Sequence, residues 1–100
     1  MAQYEKLVRD RIPEILDAKG VPYTKRIADA QEYKDELIRK LVEEANEFAE
    51  AGAPEELADV LEVVIALRTL ADYENVESVR AKKREERGGF GQRIILSGEK

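Results

Sequence analysis

The chain of 100 residues has no cysteine, no histidine and no tryptophan, and only one methionine and three prolines. Without cysteine there is no disulfide framework, no thiolate metal ligand and no thiol nucleophile. Without histidine there is neither an imidazole base that titrates near neutral pH nor an imidazole ligand. Hydroxyl side chains other than tyrosine are limited to Thr24, Thr69, Ser78 and Ser97, none with a histidine to activate it. If the chain is a hydrolase, its nucleophile is water, and carboxylates must hold whatever activates that water. No stretch approaches the roughly 20 apolar residues that span a bilayer. The segment Met1 to Lys6 has no signal-peptide apolar core. The expectation is a cytoplasmic protein with no membrane partner.

What is abundant is charge. Charged residues make up 39% of the chain, with a formal net charge of −5, and the two signs are interspersed, as on a well-solvated surface. The acidic balance argues against a nucleic-acid partner, which needs a basic face. The length fits one domain over residues 1–100, small enough to bury only about 60–70% of its unfolded surface. Helices of such a chain gain by pairing with a second copy.

Pattern and punctuation predict an all-α bundle of about four helices. Pro13 suits a first helical turn and Gly20 a stop, giving a short first helix. Pro22 holds the following residues out of helix. Asp29 is a good N-cap for a long second helix to about Ala51, in which Tyr33, Leu37, Leu41, Ala45 and Phe48 share one face. Gly52 ends it and Pro54 opens a third helix running to about Tyr73, with a wide apolar arc suited to the centre of the bundle or a dimer interface. Asn75 caps a fourth helix that ends before Gly88-Gly89. Segments 22–28 and 92–96 leave room for one small strand pair.

Two helices carry carboxylates where a helix wheel expects apolar side chains. At about 100° per residue, with Leu37 at zero, Glu44 falls near −20°, within the apolar stripe of Leu37, Leu41 and Phe48; Glu47 lies about 60° to one side of the stripe. On the third helix Glu56 falls inside the apolar arc, and Asp59, three residues on, projects beside it. Glu43, Glu50, Glu55 and Glu62 point to solvent. A short turn at Gly52-Ala53 makes these helices antiparallel neighbours and faces the two pairs of carboxylates toward each other. Buried like charges are costly, so the pattern calls for a counter-charge. A hard divalent cation with oxygen ligands, Mg²⁺ first and Mn²⁺ next, suits Glu44, Glu47, Glu56 and Asp59. The plain alternative is a salt bridge from Glu44 to Lys40 or Arg68.

Glu43-Glu44-Ala45-Asn46-Glu47 followed by Glu56-Leu57-Ala58-Asp59 resembles the ExxE…ExxD signature of MazG-like nucleotide pyrophosphohydrolases, a superfamily that also holds phosphoribosyl-ATP pyrophosphohydrolases and all-α dUTPases. The flanks Lys6-Leu7-Val8-Arg9-Asp10-Arg11-Ile12-Pro13 and Arg87-Gly88-Gly89-Phe90 are similar to a short, single-domain house-cleaning branch of it. The resemblance covers nearly the whole chain, although only eight residues separate Glu47 from Glu56, a shorter spacer than in MazG proper. It implies a MazG-like fold, a homodimer or dimer of dimers, and cleavage of a nucleoside triphosphate between its α- and β-phosphates, giving a monophosphate and pyrophosphate. It also implies metal ligation by the same four carboxylates, with Glu43 or Glu47 taking the proton from water.

Phosphate charge beyond the metal needs cations. Lys83, Arg87 and Arg93 are the first candidates, from a basic run that complementation of the helix dipole would also explain in part. Lys6, Arg9 and Arg11, in the family-like N-terminal segment, are the second. Gly88-Gly89 would let backbone N–H groups approach an anion, and Tyr4, Tyr23 or Phe90 would contact the base. The rival reading is a non-catalytic helical oligomerisation or partner-binding module, with Glu44 paired to a lysine or arginine.

Overall fold

A computed structural model describes residues 5–99. Among them are four α-helices, α1 (Ile12–Lys19), α2 (Ala30–Ala51), α3 (Pro54–Arg68) and α4 (Val76–Arg87), with a 3₁₀ turn at Ala71–Tyr73 between the last two. The all-α expectation holds, and no described helix is long and apolar enough to cross a membrane.

The boundaries follow local chemistry. Asp29 caps α2, its Oδ1 accepting from the Glu32 backbone N–H at 2.9 Å, which satisfies one of the donors that every helix start leaves free. Gly20 and Gly52 close α1 and α2 in the left-handed conformation, and Pro13 and Pro54 open α1 and α3. Helix α3 stops at Arg68 rather than near Tyr73. Thr69 turns its hydroxyl back onto the Ala66 carbonyl at 2.6 Å, and the chain continues as the 3₁₀ turn. That turn is tied to α2 by an ion pair between Lys34 and Asp72 and by the Lys34 ammonium 5.4 Å from the Tyr73 ring centre. Asn75 does precede α4 but makes no side-chain cap; instead Ser78 donates to the Asn75 carbonyl.

The body of the molecule is the antiparallel α2–α3 hairpin, joined by Gly52 and Ala53. Its seam buries Leu37 (3% exposed) and Val63 (7%), and these are the only buried apolar residues among those described. A 100-residue compact domain has a radius of gyration of about 13 Å; this one has 17.9 Å, with principal extents of 54 × 32 × 25 Å. The shape is elongated, and apolar surface is left uncovered. Leu61 and Ile65 on α3 are each 55% exposed, and Val42 on α2 is similarly open.

The small strand pair does not form among the described residues; segments 22–28 and 92–96 are irregular. An isolated two-stranded pair is marginal in water without an apolar face to rest on. Here Ile95 and Leu96 are each 89% exposed. Arg26, in the first segment, instead pairs with Glu5 and Glu32, which ties the chain start to the first turn of α2.

Gly52 sits at φ 63°, and a Cβ added there would meet nothing within 4 Å. Gly52→Ala is therefore a pure backbone penalty of about 1–2 kcal/mol. Chemical denaturation should show that loss, with the helical circular dichroism of the native state unchanged.

Candidate metal centre

Three carboxylates meet at the hairpin's turn end. One oxygen each from Glu44, Glu56 and Asp59 lies within 4.8 Å of the other two, a spread that one hard cation can gather. Each arrives through a separate local cause. Glu44 follows Leu37 by seven residues, so it stays on the packed face of α2 and is only 8% exposed. Glu56 stands in the first turn of α3, which Pro54 starts and Gly52 aims back along α2. Asp59 is one turn further and half-buried beside it.

The decisive group is Glu44. Its Oε1 faces Lys40 Nζ at 3.6 Å, beyond hydrogen-bond length. Its Oε2 is buried with no hydrogen-bond partner. A buried carboxylate oxygen without a partner is costly, and this one is on the most buried member of the acidic cluster. The donor set is entirely carboxylate oxygen, as hard divalent cations prefer. Glu44, Glu56 and Asp59 could thus hold a metal ion.

Burial is the main force raising the Glu44 pKa above the usual carboxylate range, followed by the neighbouring Glu47 carboxyl. Lys40 pulls in the opposite direction, and Asp59 adds a smaller upward push. Glu47 therefore stands next to Glu44, but it is exposed and outside the group of three close oxygens. Glu43 points elsewhere and faces Lys6 at 3.8 Å.

A pocket of about 620 Å³ opens over the cluster, within the range of small-molecule sites. Glu44 and Asp59 lie at one side of it. Val8, Ile12 and Leu16, spaced four residues apart on the N-terminal segment and α1, form an apolar wall. Lys6, Arg9 and Lys40 supply the cations, and Arg9 Nη2 reaches Asp59 Oδ1 at 2.7 Å.

The structure thus gathers three of the four expected ligands and the N-terminal cations Lys6 and Arg9. It does not bring Lys83, Arg87 or Arg93 to the cluster; they line neither that pocket nor the smaller one beside it, and form no ion pair among the described residues. Arg93 lies in the turn after Gly88-Gly89, at φ 59°. Phe90 is exposed, Tyr23 faces Asp17, whose hydrogen bond raises the phenol pKa, and Tyr4 falls outside the described residues. Lys40, expected only as a salt-bridge partner of Glu44, also lines the pocket, four residues before Glu44 on α2. No protein-family model matches the chain, and neither does any curated protein or solved structure.

A raised carboxyl pKa in the folded state means that the folded protein binds this proton more tightly than the unfolded chain. The resulting stabilisation is fully present below the unfolded value, about 4.3 for Glu, and is lost as pH rises through the raised one. Glu44→Gln abolishes that dependence. In EDTA the variant should match the parent near pH 4 and, at neutral pH, be equally stable or more stable by up to about 1 kcal/mol. Paired melting curves across this range check the sign. If the Lys40 contact were a stabilising buried salt bridge, the variant would instead lose about 3–5 kcal/mol at neutral pH.

Proposed function

We propose that this chain is a divalent-metal-dependent nucleotide pyrophosphohydrolase of MazG-like type, hydrolysing nucleoside triphosphates or related nucleotides between the α- and β-phosphates in a cytoplasmic house-cleaning role. The observation that carries the reading is the buried, unpartnered Glu44 Oε2, grouped with Glu56 and Asp59 beside a pocket whose other polar walls are cationic. That juxtaposition suits a ligand that is itself a metal-bound polyanion. The motif order along the chain, with ExxE before ExxD and the family-like flanks, supports the same class.

Glu44, Glu56 and Asp59 would hold Mg²⁺, or Mn²⁺ in its place, with Glu47 close enough to complete the set. When bound, such an ion neutralises phosphate charge and lowers the pKa of water. Lys6, Arg9 and Lys40 bind phosphate oxygens. Glu47, exposed beside Glu44, is better placed to accept a proton than Glu43, which is turned to Lys6. Lys83, Arg87 and Arg93 reach a phosphate chain only if α4 belongs to the site of a neighbouring copy.

A second copy is part of the proposal. The uncovered Val42, Leu61 and Ile65 are the face on which two hairpins would pack to complete a core, as a dimer or a dimer of dimers. Leu61→Glu should yield monomers by size-exclusion chromatography with light scattering, and a lower melting temperature, where the parent is oligomeric.

The second reading, a non-catalytic helical oligomerisation module, draws on the Lys40–Glu44 contact. A nucleotide panel with Mg²⁺ separates the two. The pyrophosphohydrolase should release pyrophosphate and a monophosphate; orthophosphate as the first product, or no turnover on any nucleotide, would refute it. Asp59→Asn and Glu56→Gln keep side-chain volume but remove ligand charge, so metal affinity and turnover should fall together by about tenfold or more. Calorimetry and initial rates at limiting Mg²⁺ measure the two effects independently.

A further inference from the structure

The cluster is not without cations of its own, and the two that reach it differ in kind. Lys40 Nζ lies 3.6 Å from Glu44 Oε1 and its side chain is 19% exposed, held along packed α2. Arg9 Nη2 lies 2.7 Å from Asp59 Oδ1, and its side chain is 54% exposed. It comes not from the hairpin but from the irregular segment 5–11, which other ion pairs also pin down: Lys6 to Glu43 and Glu5 to Arg26. Moving the Arg9 side chain away from Asp59 therefore opens no packed core, whereas moving Lys40 would.

Geometry singles out the arginine. Glu44, Glu56 and Asp59, with Glu47 beside them, face Arg9 and Lys40, and Glu56 makes no ion pair among the described residues. A divalent cation that took Asp59 Oδ1 would meet the guanidinium at that oxygen. The guanidinium is the more exposed of the two protein cations. Its fork of donors suits phosphate as well as carboxylate, and it already lines the pocket with Lys6.

Resting on the metal-dependent reading above, we infer that Arg9 and the divalent cation compete for Asp59. Arg9 is the cluster's counter-ion while the metal is absent. Metal entry displaces its guanidinium, which then takes the phosphates of the incoming nucleotide. The site is thereby interlocked: the residue that binds the anionic substrate is released by the ion that the substrate needs.

The test is Arg9→Gln in the full-length protein, titrated with Mn²⁺ by calorimetry without nucleotide, then with a non-hydrolysable α,β-methylene triphosphate in saturating Mn²⁺. Removing a competitor worth one exposed ion pair should tighten Mn²⁺ binding about two- to fivefold, while the triphosphate should bind more weakly than to the parent. Opposite signs in the two titrations are the signature. Unchanged or weaker Mn²⁺ binding in the variant, with normal binding by the parent, would overturn the competition alone and leave the metal reading standing. A parent that binds no Mn²⁺ would overturn both. Arg9→Lys supplies the second variant should Arg9→Gln not fold. It keeps the charge but not the fork, so Mn²⁺ affinity should stay near that of the parent while triphosphate binding weakens; the reverse order of effects would overturn the inference.

Discussion

Placing an ionised carboxylate in the seam between two helices costs several kcal/mol unless something of opposite charge meets it, and the packing of α2 against α3 puts Glu44 there. The same face of α2 that seats Leu37 carries Glu44 seven residues later, so the chain cannot pack the hairpin fully without enclosing that group. The rest of the site is organised around this constraint. Lys40 approaches one of its oxygens, Glu56 and Asp59 come within ligand distance of the group, and the other oxygen is left with no partner inside the protein.

The N-terminal segment is the electrostatic complement to that arrangement. Residues 5–11 form no helix, yet Glu5, Lys6 and Arg9 each reach a charged partner on or near the hairpin. Individually these exposed pairs are weak; together they fix the course of a stretch that has no backbone ladder to hold it. Its apolar side chains, continued by α1, then become one wall of the pocket. The acidic floor comes from α2 and α3, the apolar wall from the N-terminal segment and α1, and the cationic rim from the N-terminal segment and α2.

Much of this was legible in the residues. The Gly and Pro punctuation located α1, α2 and the start of α3, because those residues act through backbone dihedrals that need no tertiary partner. The wheel position of Glu44 anticipated its burial, since the apolar stripe on α2 is unambiguous. The end of α3 was not legible: Thr69 turns its hydroxyl onto the Ala66 carbonyl and Lys34 of α2 pairs with Asp72 in the turn that follows, and neither contact leaves a periodicity. The expected strands failed because β-pairing depends on a supporting face, which sequence alternation cannot supply. The place of Lys40 in the pocket was hidden for a related reason. A lysine beside an apolar stripe looks like a solvated edge until the neighbouring helix shows which edge faces in.

The hairpin also has a kinetic meaning. Glu44 and Asp59 bound a stretch of only sixteen residues, so the carboxylates come together by closing a short loop through contacts near in sequence. Arg9 and Asp59 are fifty positions apart. Loop-closure entropy rises with that separation, and contacts local in sequence form readily while distant ones wait. Topology therefore favours a folding order in which the acidic cluster assembles before its arginine arrives. During that interval Lys40 is the cluster's one protein cation among those that face it, and the ions of the surrounding solution stand in for the arginine.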